Sequence, residues 1–155
     1  MGNGIDFRLS LSFVVTTLLL ARIAWIDWRT RRIPDEWTLA LVIWAGMQLI
    51  WPGRLRPSAA VIGLMVGGGG FFLLAWISRG GLGWGDVKLA AGLGALLGFP
   101  GVLYGLSFGM IFAGLVAGGL LFTGRAGRKD SFAYGPYLAL GGWLVYWISR
   151  SFGLG

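Results

Sequence analysis

Long apolar runs, separated by short loops that carry basic residues, are the feature that most restricts how this chain folds. A bilayer core is about 30 Å thick and needs about 20 predominantly apolar residues in a spanning helix. Of the 155 residues, 56% are hydrophobic and only 12% are charged, whereas soluble domains average about 25% charged residues. The sequence therefore predicts a polytopic membrane protein, with residues 1–155 as one domain.

Six helical segments follow from the apolar runs and from the Gly, Pro and charged residues that interrupt them. The first apolar run meets Arg22 rather than a small-residue cleavage site, so we interpret the first segment as a retained span and not a signal peptide. We predict an all-α membrane protein with about six transmembrane helices. The predicted segments are 9–26, 36–50, 57–77, 86–97, 101–122 and 132–148.

The fourth segment is too short to cross the bilayer core. About twelve residues at about 1.5 Å each reach only about 18 Å. If its far end reaches the opposite surface, the glycine-rich stretch at 79–85 lies below the near surface. Non-helical backbone at that depth is tolerated only inside protein or beside a wet cavity. We therefore expect this stretch to be a re-entrant loop.

Small residues recur at every fourth position in three of the segments. Such stripes let helix backbones approach closely inside a membrane, so they predict a tight bundle. Close packing also explains the four glycines at 67–70, which lack the Lys-Ser/Thr of a phosphate loop. The stripes comprise Ala59, Gly63 and Gly67, then Ala90, Gly94 and Gly98, then Gly101, Gly105, Gly109, Ala113 and Ala117.

Composition excludes several kinds of chemistry. The chain has no Cys and no His, which removes disulfides, thiol nucleophiles, Ser-His catalysis and imidazole-ligated metals. We expect no metal and no cofactor, so proton chemistry falls to the few carboxylates. The formal charge of +7 resides in short loops, where it reports membrane orientation, so no nucleic-acid partner is expected. Nothing in the sequence specifies an oligomeric state.

The basic residues are distributed unevenly between the two membrane faces. With six spans, the loops at 28–35, 79–88 and 123–131 share one face and hold eight Lys and Arg residues, against four on the other. The positive-inside rule then places the first set in the cytoplasm and both termini outside. Asp27 and Asp86 are therefore expected at the cytoplasmic face of the inner membrane.

These two aspartates are the candidates for chemistry, because an ionisable group in a membrane segment is a functional-site hypothesis by default. Two neighbouring carboxylates cannot both ionise easily, so they share a proton. One then accepts a proton from water while the other donates one to a carbonyl oxygen. Spacing alone leaves three functions open: peptide hydrolysis, proton-coupled transport through Asp27 and Asp86, and a non-enzymatic scaffold.

Three ordered motifs favour the first function. Residues 83–86 read Gly-Trp-Gly-Asp, which fits the Gly-x-Gly-Asp pattern of intramembrane aspartyl proteases, and with Lys88 they resemble the prepilin peptidase (type IV leader peptidase) family. Residues 27–35 resemble that family's aspartate, basic residues and Ile-Pro-Asn, with Asp35 in place of Asn. Residues 134–141 resemble its structural motif, although Ala133 and Tyr134 replace Pro-Phe.

The resemblance implies that Asp27 and Asp86 are the catalytic pair of an aspartic endopeptidase. The implied substrate is a prepilin-like protein, cut after a glycine between a short basic leader and an apolar helix. Larger members add a cysteine-containing insert and methylate the new terminus. This chain resembles the short form, so methyl transfer is not expected. Supporting residues are predicted to be Gly83, Gly85, Lys88, Ile33, Pro34, Gly135 and Pro136.

Each supporting residue also has a purely structural interpretation. The two glycines at 83 and 85 are expected to permit a tight bend and close approach of substrate. Lys88 is as compatible with a snorkelling interfacial lysine as with a role near the aspartates. Asp27 could instead pair with Arg29 or Arg31, which otherwise serve with Arg32 as positive-inside anchors. Asp35, Glu36 and Asp130 are expected to be solvated and could attract a basic leader.

Overall fold

The computed structural model describes residues 3–50, 55–79, 81–124 and 133–151. This part of the chain forms six α-helices and no strand. The predicted end of the second segment at 51–53, Gly80, and the basic stretch 125–131 lie outside the described residues. The helices are α1 (Asn3–Thr30), α2 (Asp35–Leu49), α3 (Pro57–Ile77), α4 (Trp84–Leu97), α5 (Gly101–Phe122) and α6 (Gly135–Ser151).

The all-α class is confirmed, and the bounds of α3 and α5 match the prediction. Three helices are long and apolar enough to cross a membrane: α1 from Phe7, α3 and α5. The other three have 15, 14 and 17 residues, which is short of the about 20 residues that a spanning helix needs. The chain therefore alternates long and short helices.

The predicted end of the first helix is wrong. We placed it at Ile26 because charged residues follow, but α1 continues to Thr30. The Thr30 hydroxyl donates to the carbonyl of Ile26 at 2.8 Å, and the N–H of Arg31 donates to the carbonyl of Asp27 at 2.8 Å. Arg31 then leaves the helix with a φ of 51°. Asp27 consequently lies inside the last turn of α1 and not beyond its end.

The short helix α4 is the centre of the bundle. It packs against α2, α3, α5 and α6, most extensively against α3. Nine of its 14 residues are buried, including Leu89 and Leu93, as expected for a helix enclosed by others. It ends at Gly98, whose φ of 66° suits glycine, and the N–H of Phe99 donates to the carbonyl of Ala59 at 2.9 Å.

The predicted small-residue stripes pack in pairs. Gly63 and Gly67 of α3 lie against the backbone carbonyls of Gly94 and Ala90 in α4. Likewise, Gly105 and Gly109 of α5 lie against α6, where a Cβ added at Gly109 would be 2.8 Å from the Cα of Leu138. The tight bundle is thus confirmed. Within the glycine run 67–70, only the first two glycines make such contacts, and the other two face open space.

Polar side chains hold α1 to its neighbours in a different way. The indole N–H of Trp44 in α2 donates to Thr16 at 2.9 Å, and that of Trp143 in α6 donates to Thr17 at 2.9 Å. Hydrogen bonds between spans contribute about 0.6–2 kcal/mol each. These bonds attach α1, which carries Asp27, to the two short helices beside it.

Candidate active site

Asp27 is held at the start of helix α6. Its side chain is 4% exposed, and the backbone N–H of Gly135 donates to Oδ2 at 3.0 Å. Gly135 is the first residue of α6 and Pro136 follows it, at a position where the missing N–H of proline has no helical partner to lose. A helix N-terminus presents free N–H groups and a positive dipole end, both of which stabilise a carboxylate.

Asp86 is held at the start of its own helix. It is the third residue of α4 and is 7% exposed. Its Oδ2 accepts a hydrogen bond from the N–H of Gly83, the N-cap residue, at 3.2 Å. This is the acidic half of a capping box, in which an N3 carboxylate satisfies the N-cap donor. Both aspartates are therefore oriented by backbone N–H groups at helix starts.

The segment between α1 and α2 brings the two aspartates together. Ile33 is 8% exposed and points into the bundle. A Cβ added at Gly85, next to Asp86, would lie 2.9 Å from the Cβ of Ile33. One added at Gly135 would lie 2.6 Å from Oδ2 of Asp27 and 3.0 Å from Cδ1 of Ile33. Ile33 thus fills the space between the two glycines that adjoin the aspartates.

We predicted that Gly85 permits a tight bend and close approach of substrate, but its packing shows a different role. Its missing side chain makes room for Ile33, and Gly83 has an ordinary extended conformation with φ −73° and ψ 146°. Pro34, also extended at φ −66° and ψ 141°, then begins α2 as its N-cap. The three sequence motifs therefore meet at one end of the bundle, where Ile33 contacts the residues beside both aspartates.

The basic residues near Asp27 do not neutralise it. Among the residues that the structure describes, the only ion pair joins Lys88 to Asp35, at 2.6 Å between Nζ and Oδ1. Arg29 instead lies over the ring of Trp25, with 4.7 Å from its guanidinium carbon to the ring centroid. The interpretation of Asp27 as a partner of Arg29 or Arg31 is therefore wrong. Lys88 thus pairs with Asp35 at the start of α2, and not with Asp27 or Asp86.

Asp86 is recessed below the end of α3. The rings of Phe72 and Trp84 are in contact, with centroids 5.8 Å apart, which sets the first turn of α4 level with Phe72. From there α3 continues five residues to Ile77, or about 8 Å. The connection from α3 to α4 must descend by that distance, as we expected for a glycine-rich loop that enters the bundle.

Asp27 is recessed still further below the end of α5. Helices α5 and α6 run in opposite directions, and Gly109 packs on Leu138. Gly135, three residues before Leu138, therefore lies about level with Phe112, three residues after Gly109. Helix α5 continues for ten residues beyond Phe112 to Phe122, or about 15 Å, and Phe122 is 94% exposed. Helices α3 and α5 thus extend beyond the level of the two aspartates, which lie within the bundle.

This fold and this site define a helical membrane protein with two buried aspartates at one end of its bundle. The model of the type IV leader peptidase family matches residues 14–123. The chain belongs to this family, which confirms the resemblance drawn from its motifs. No solved structure matches the chain.

Named relatives agree with this membership. The chain is 34% identical over 149 residues to the prepilin leader peptidase/N-methyltransferase of Neisseria gonorrhoeae, covering 92% of this chain and 50% of that protein. The protein of the same name from Burkholderia pseudomallei is 37% identical over 140 residues, covering 84% of this chain and 44% of the relative. The chain thus spans about half the length of these two relatives.

A third relative has a length closer to that of this chain. The leader peptidase HopD of Salmonella typhimurium is 34% identical over 130 residues, covering 78% of this chain and 82% of that protein. The transport and scaffold alternatives gain no support from any of these relatives.

Proposed function

We propose that the chain is an aspartic endopeptidase that removes the leader of prepilin-like proteins without a metal ion, with Asp27 and Asp86 as its catalytic pair. The observation that carries this proposal is the burial of both carboxylates at one end of the bundle, each oriented by a backbone N–H group. The chain contains no histidine or cysteine that could act as an alternative base or nucleophile.

The arrangement suits a water-mediated mechanism. The N–H groups of Gly135 and Gly83 donate to the Oδ2 atoms of Asp27 and Asp86, respectively. Among the described residues, none donates a hydrogen bond to either Oδ1 atom. An ionised carboxylate takes a proton from water as the water oxygen bonds to the scissile carbonyl carbon, while the protonated partner donates to the carbonyl oxygen. The amide C–N bond then breaks, and the nitrogen takes the proton that the first aspartate had drawn from water. The hydroxyl group formed from the carbonyl oxygen returns its proton to the second aspartate, which leaves a carboxylic acid on the substrate and restores the pair.

The proposed substrate has a short basic leader followed by an apolar helix, and the cut falls after the glycine between them. The names of the relatives from Neisseria gonorrhoeae and Burkholderia pseudomallei support a prepilin-like substrate. We place the enzyme in the inner membrane with this site facing the cytoplasm, because the basic residues predominate in the loops at that end of the bundle. Neither Asp35 nor Glu36 is assigned a catalytic part.

The decisive test replaces each aspartate by asparagine in protein purified in detergent. Asp27→Asn and Asp86→Asn keep the side-chain shape but remove the proton chemistry, so each is expected to lower the turnover of a synthetic prepilin by about 10³-fold or more. Mass spectrometry of the new N-terminus measures cleavage, and thermal unfolding confirms that each variant is folded.

Asp35→Asn is the matched control, because it makes the same chemical change at an exposed carboxylate near the site. It should keep at least half of the wild-type rate, and a metal chelator should leave that rate unchanged. Full activity in either Asp27→Asn or Asp86→Asn would refute the catalytic pair. Activity lost on chelation and restored by metal would refute the metal-free mechanism.

A further inference from the structure

An open groove runs along the outside of the bundle between α1 and α6. Two adjoining depressions of about 280 and 310 Å³ form it, and they share Ala21, Ala24 and Pro136 in their walls. The groove extends from Thr17 to Trp28 along α1. Eleven steps of about 1.5 Å make it about 16 Å long, which is the length of about eleven helical residues.

One end of the groove lies beside Asp27, although neither aspartate lines the groove itself. Ala24 and Trp28 in its wall lie three residues before and one residue after Asp27. On the opposite side, Pro136 is joined directly to Gly135, whose N–H binds the Asp27 carboxylate. A chain lying in the groove therefore has one end beside Asp27 and extends from there along α1, away from the aspartates.

The lining of the groove fits an apolar occupant. None of the described residues that line it is charged. The Thr17 hydroxyl donates to the carbonyl of Phe13 at 2.7 Å and accepts from Trp143 at 2.9 Å, so these polar atoms are already hydrogen-bonded. A basic leader would lose its hydration here without gaining a partner. An apolar helix loses nothing and can approach closely over Ala21 and Ala24.

We infer that the groove between α1 and α6 binds the apolar helix of the substrate, with the residues after the cut running along α1 away from Asp27. This inference rests on the proposed function and specifies how that site selects its substrate. The peptide bond at the junction of the basic leader and the apolar helix is then the bond held beside the aspartates.

The inferred register can be measured by disulfide cross-linking, since the chain has no cysteine of its own. The probe is a synthetic prepilin with one cysteine placed at successive positions after the cut, in lipid vesicles. With Ala21→Cys, six residues from Asp27, cross-linking should peak at about the sixth substrate residue after the cut. With Thr17→Cys it should peak about four residues later, or about one helical turn.

Leu115→Cys provides the control, because Leu115 is 68% exposed on the outer face of α5. It should cross-link weakly and without a preferred substrate position. Three outcomes would overturn the inference: equal cross-linking at Leu115, no shift of the peak between Ala21 and Thr17, or disulfides between two copies of the enzyme that exclude the substrate. Any of them would assign the groove to lipid or to a second copy.

Filling the groove tests the same inference through kinetics. Ala21→Phe and Leu140→Trp should raise the KM for the full-length probe roughly tenfold, because part of the buried apolar contact is lost. The kcat should change by less than about twofold, since no reacting group is altered. Leu115→Trp is the matched control and should leave both constants unchanged.

Two peptides separate this inference from the proposed function. One contains the leader, the glycine and the apolar helix, whereas the other stops a few residues after the cut. If the wild-type enzyme cleaves neither, the proposed function fails. If it cleaves the long peptide and the groove variants cleave it with an unchanged KM, only the groove inference fails. The groove variants should cleave the short peptide as the wild-type enzyme does.

Discussion

Two helix pairs carry the two aspartates, and they are packed in opposite ways. Between α3 and α4, glycines put the backbones in direct contact: Gly63 meets the carbonyl of Gly94, and Gly94 meets that of Gly63. Between α1 and α6, contact depends on side chains such as Thr17 and Trp143, and an open groove remains. Asp86 belongs to the closed pair, whereas Asp27 borders the open one.

This difference suggests how a small membrane protein fixes one proposed catalytic group while leaving open space beside the other. Backbone contacts without side chains leave no space and few alternative arrangements, so α4 is held rigidly at the centre. The α1–α6 pair uses hydrogen bonds that hold the helices together at a distance. The substrate helix that we propose for the groove would therefore lie beside Asp27 without separating the helices that position Asp86.

The largest expected effect comes from adding one methyl group to the closed pair. In Gly63→Ala the new Cβ would overlap the backbone carbonyl of Gly94, which cannot rotate away. We expect a loss of stability of about 3 kcal/mol or more, at the upper end of overpacking costs, measured by unfolding in mixed detergent. Gly69→Ala is the control in the same helix, because nothing lies within 4 Å of its Cβ position. Equal stability of both variants would contradict the backbone contact.

The next effect is specific to the site. In Gly135→Ala the new Cβ would lie 2.6 Å from Oδ2 of Asp27 and 3.0 Å from Cδ1 of Ile33, so both must move. A shift of about 1 Å in a catalytic group costs roughly 10²-fold in rate. We expect kcat to fall by about that factor in a protein that still folds, as measured with the synthetic prepilin.

Gly85→Ala should have a similar effect, because it displaces Ile33 from the other side. Gly81→Ala is the control in the loop that precedes α4, where an added Cβ has its nearest contacts at an ordinary 3.4 Å. If Gly135→Ala and Gly85→Ala both kept the wild-type rate, the part assigned to Ile33 in joining the aspartates would be wrong.

Much of this architecture could be predicted from the sequence, because apolar runs and Gly or Pro interruptions determine where membrane helices begin and end. The predicted bounds of α3 and α5 agree with the structure to the residue, and those of α2 and α4 agree within two residues. The sequence does not predict the end of α1, because Asp27 and Arg29 indicate an exit from the membrane at a point where the helix continues. The carbonyl of Asp27 accepts a helical hydrogen bond from the N–H of Arg31, and its side chain accepts one from the N–H of Gly135 at the start of α6.

The partners across the bundle could not be predicted. A four-residue repeat of small residues indicates that a helix packs closely, but it does not specify which helix it meets. The motifs identified both aspartates and the family. They did not reveal that Gly135 donates to Asp27, or that Gly85 makes room for Ile33. These contacts depend on three segments meeting in space, and no local pattern in any one segment contains them.

A smaller effect is expected where the open pair depends on a hydrogen bond. Thr17→Val removes the acceptor of the Trp143 indole N–H and keeps the side-chain shape. Because a hydrogen bond between spans is worth about 0.6–2 kcal/mol, we expect a loss of stability in that range. Thr30→Val, at an exposed position whose hydroxyl bonds only to the backbone of its own segment, should cost less. The reverse order would mean that the α1–α6 pair is held by packing alone.

The smallest effect is expected at the ion pair that links α4 of the closed pair to α2. Lys88 of α4 and Asp35 of α2 are 2.6 Å apart, but their side chains are 48% and 74% exposed. Exposed pairs contribute about 0–1 kcal/mol, and salt screens them. In a double-mutant cycle with Lys88→Met and Asp35→Asn, we therefore expect a coupling energy below about 1 kcal/mol that falls as salt is added. If the cycle gave a larger coupling together with a loss of kcat, Lys88 would be positioning Asp86 through α4. The fixed position of α4 would then depend on this pair as well as on the glycine contacts.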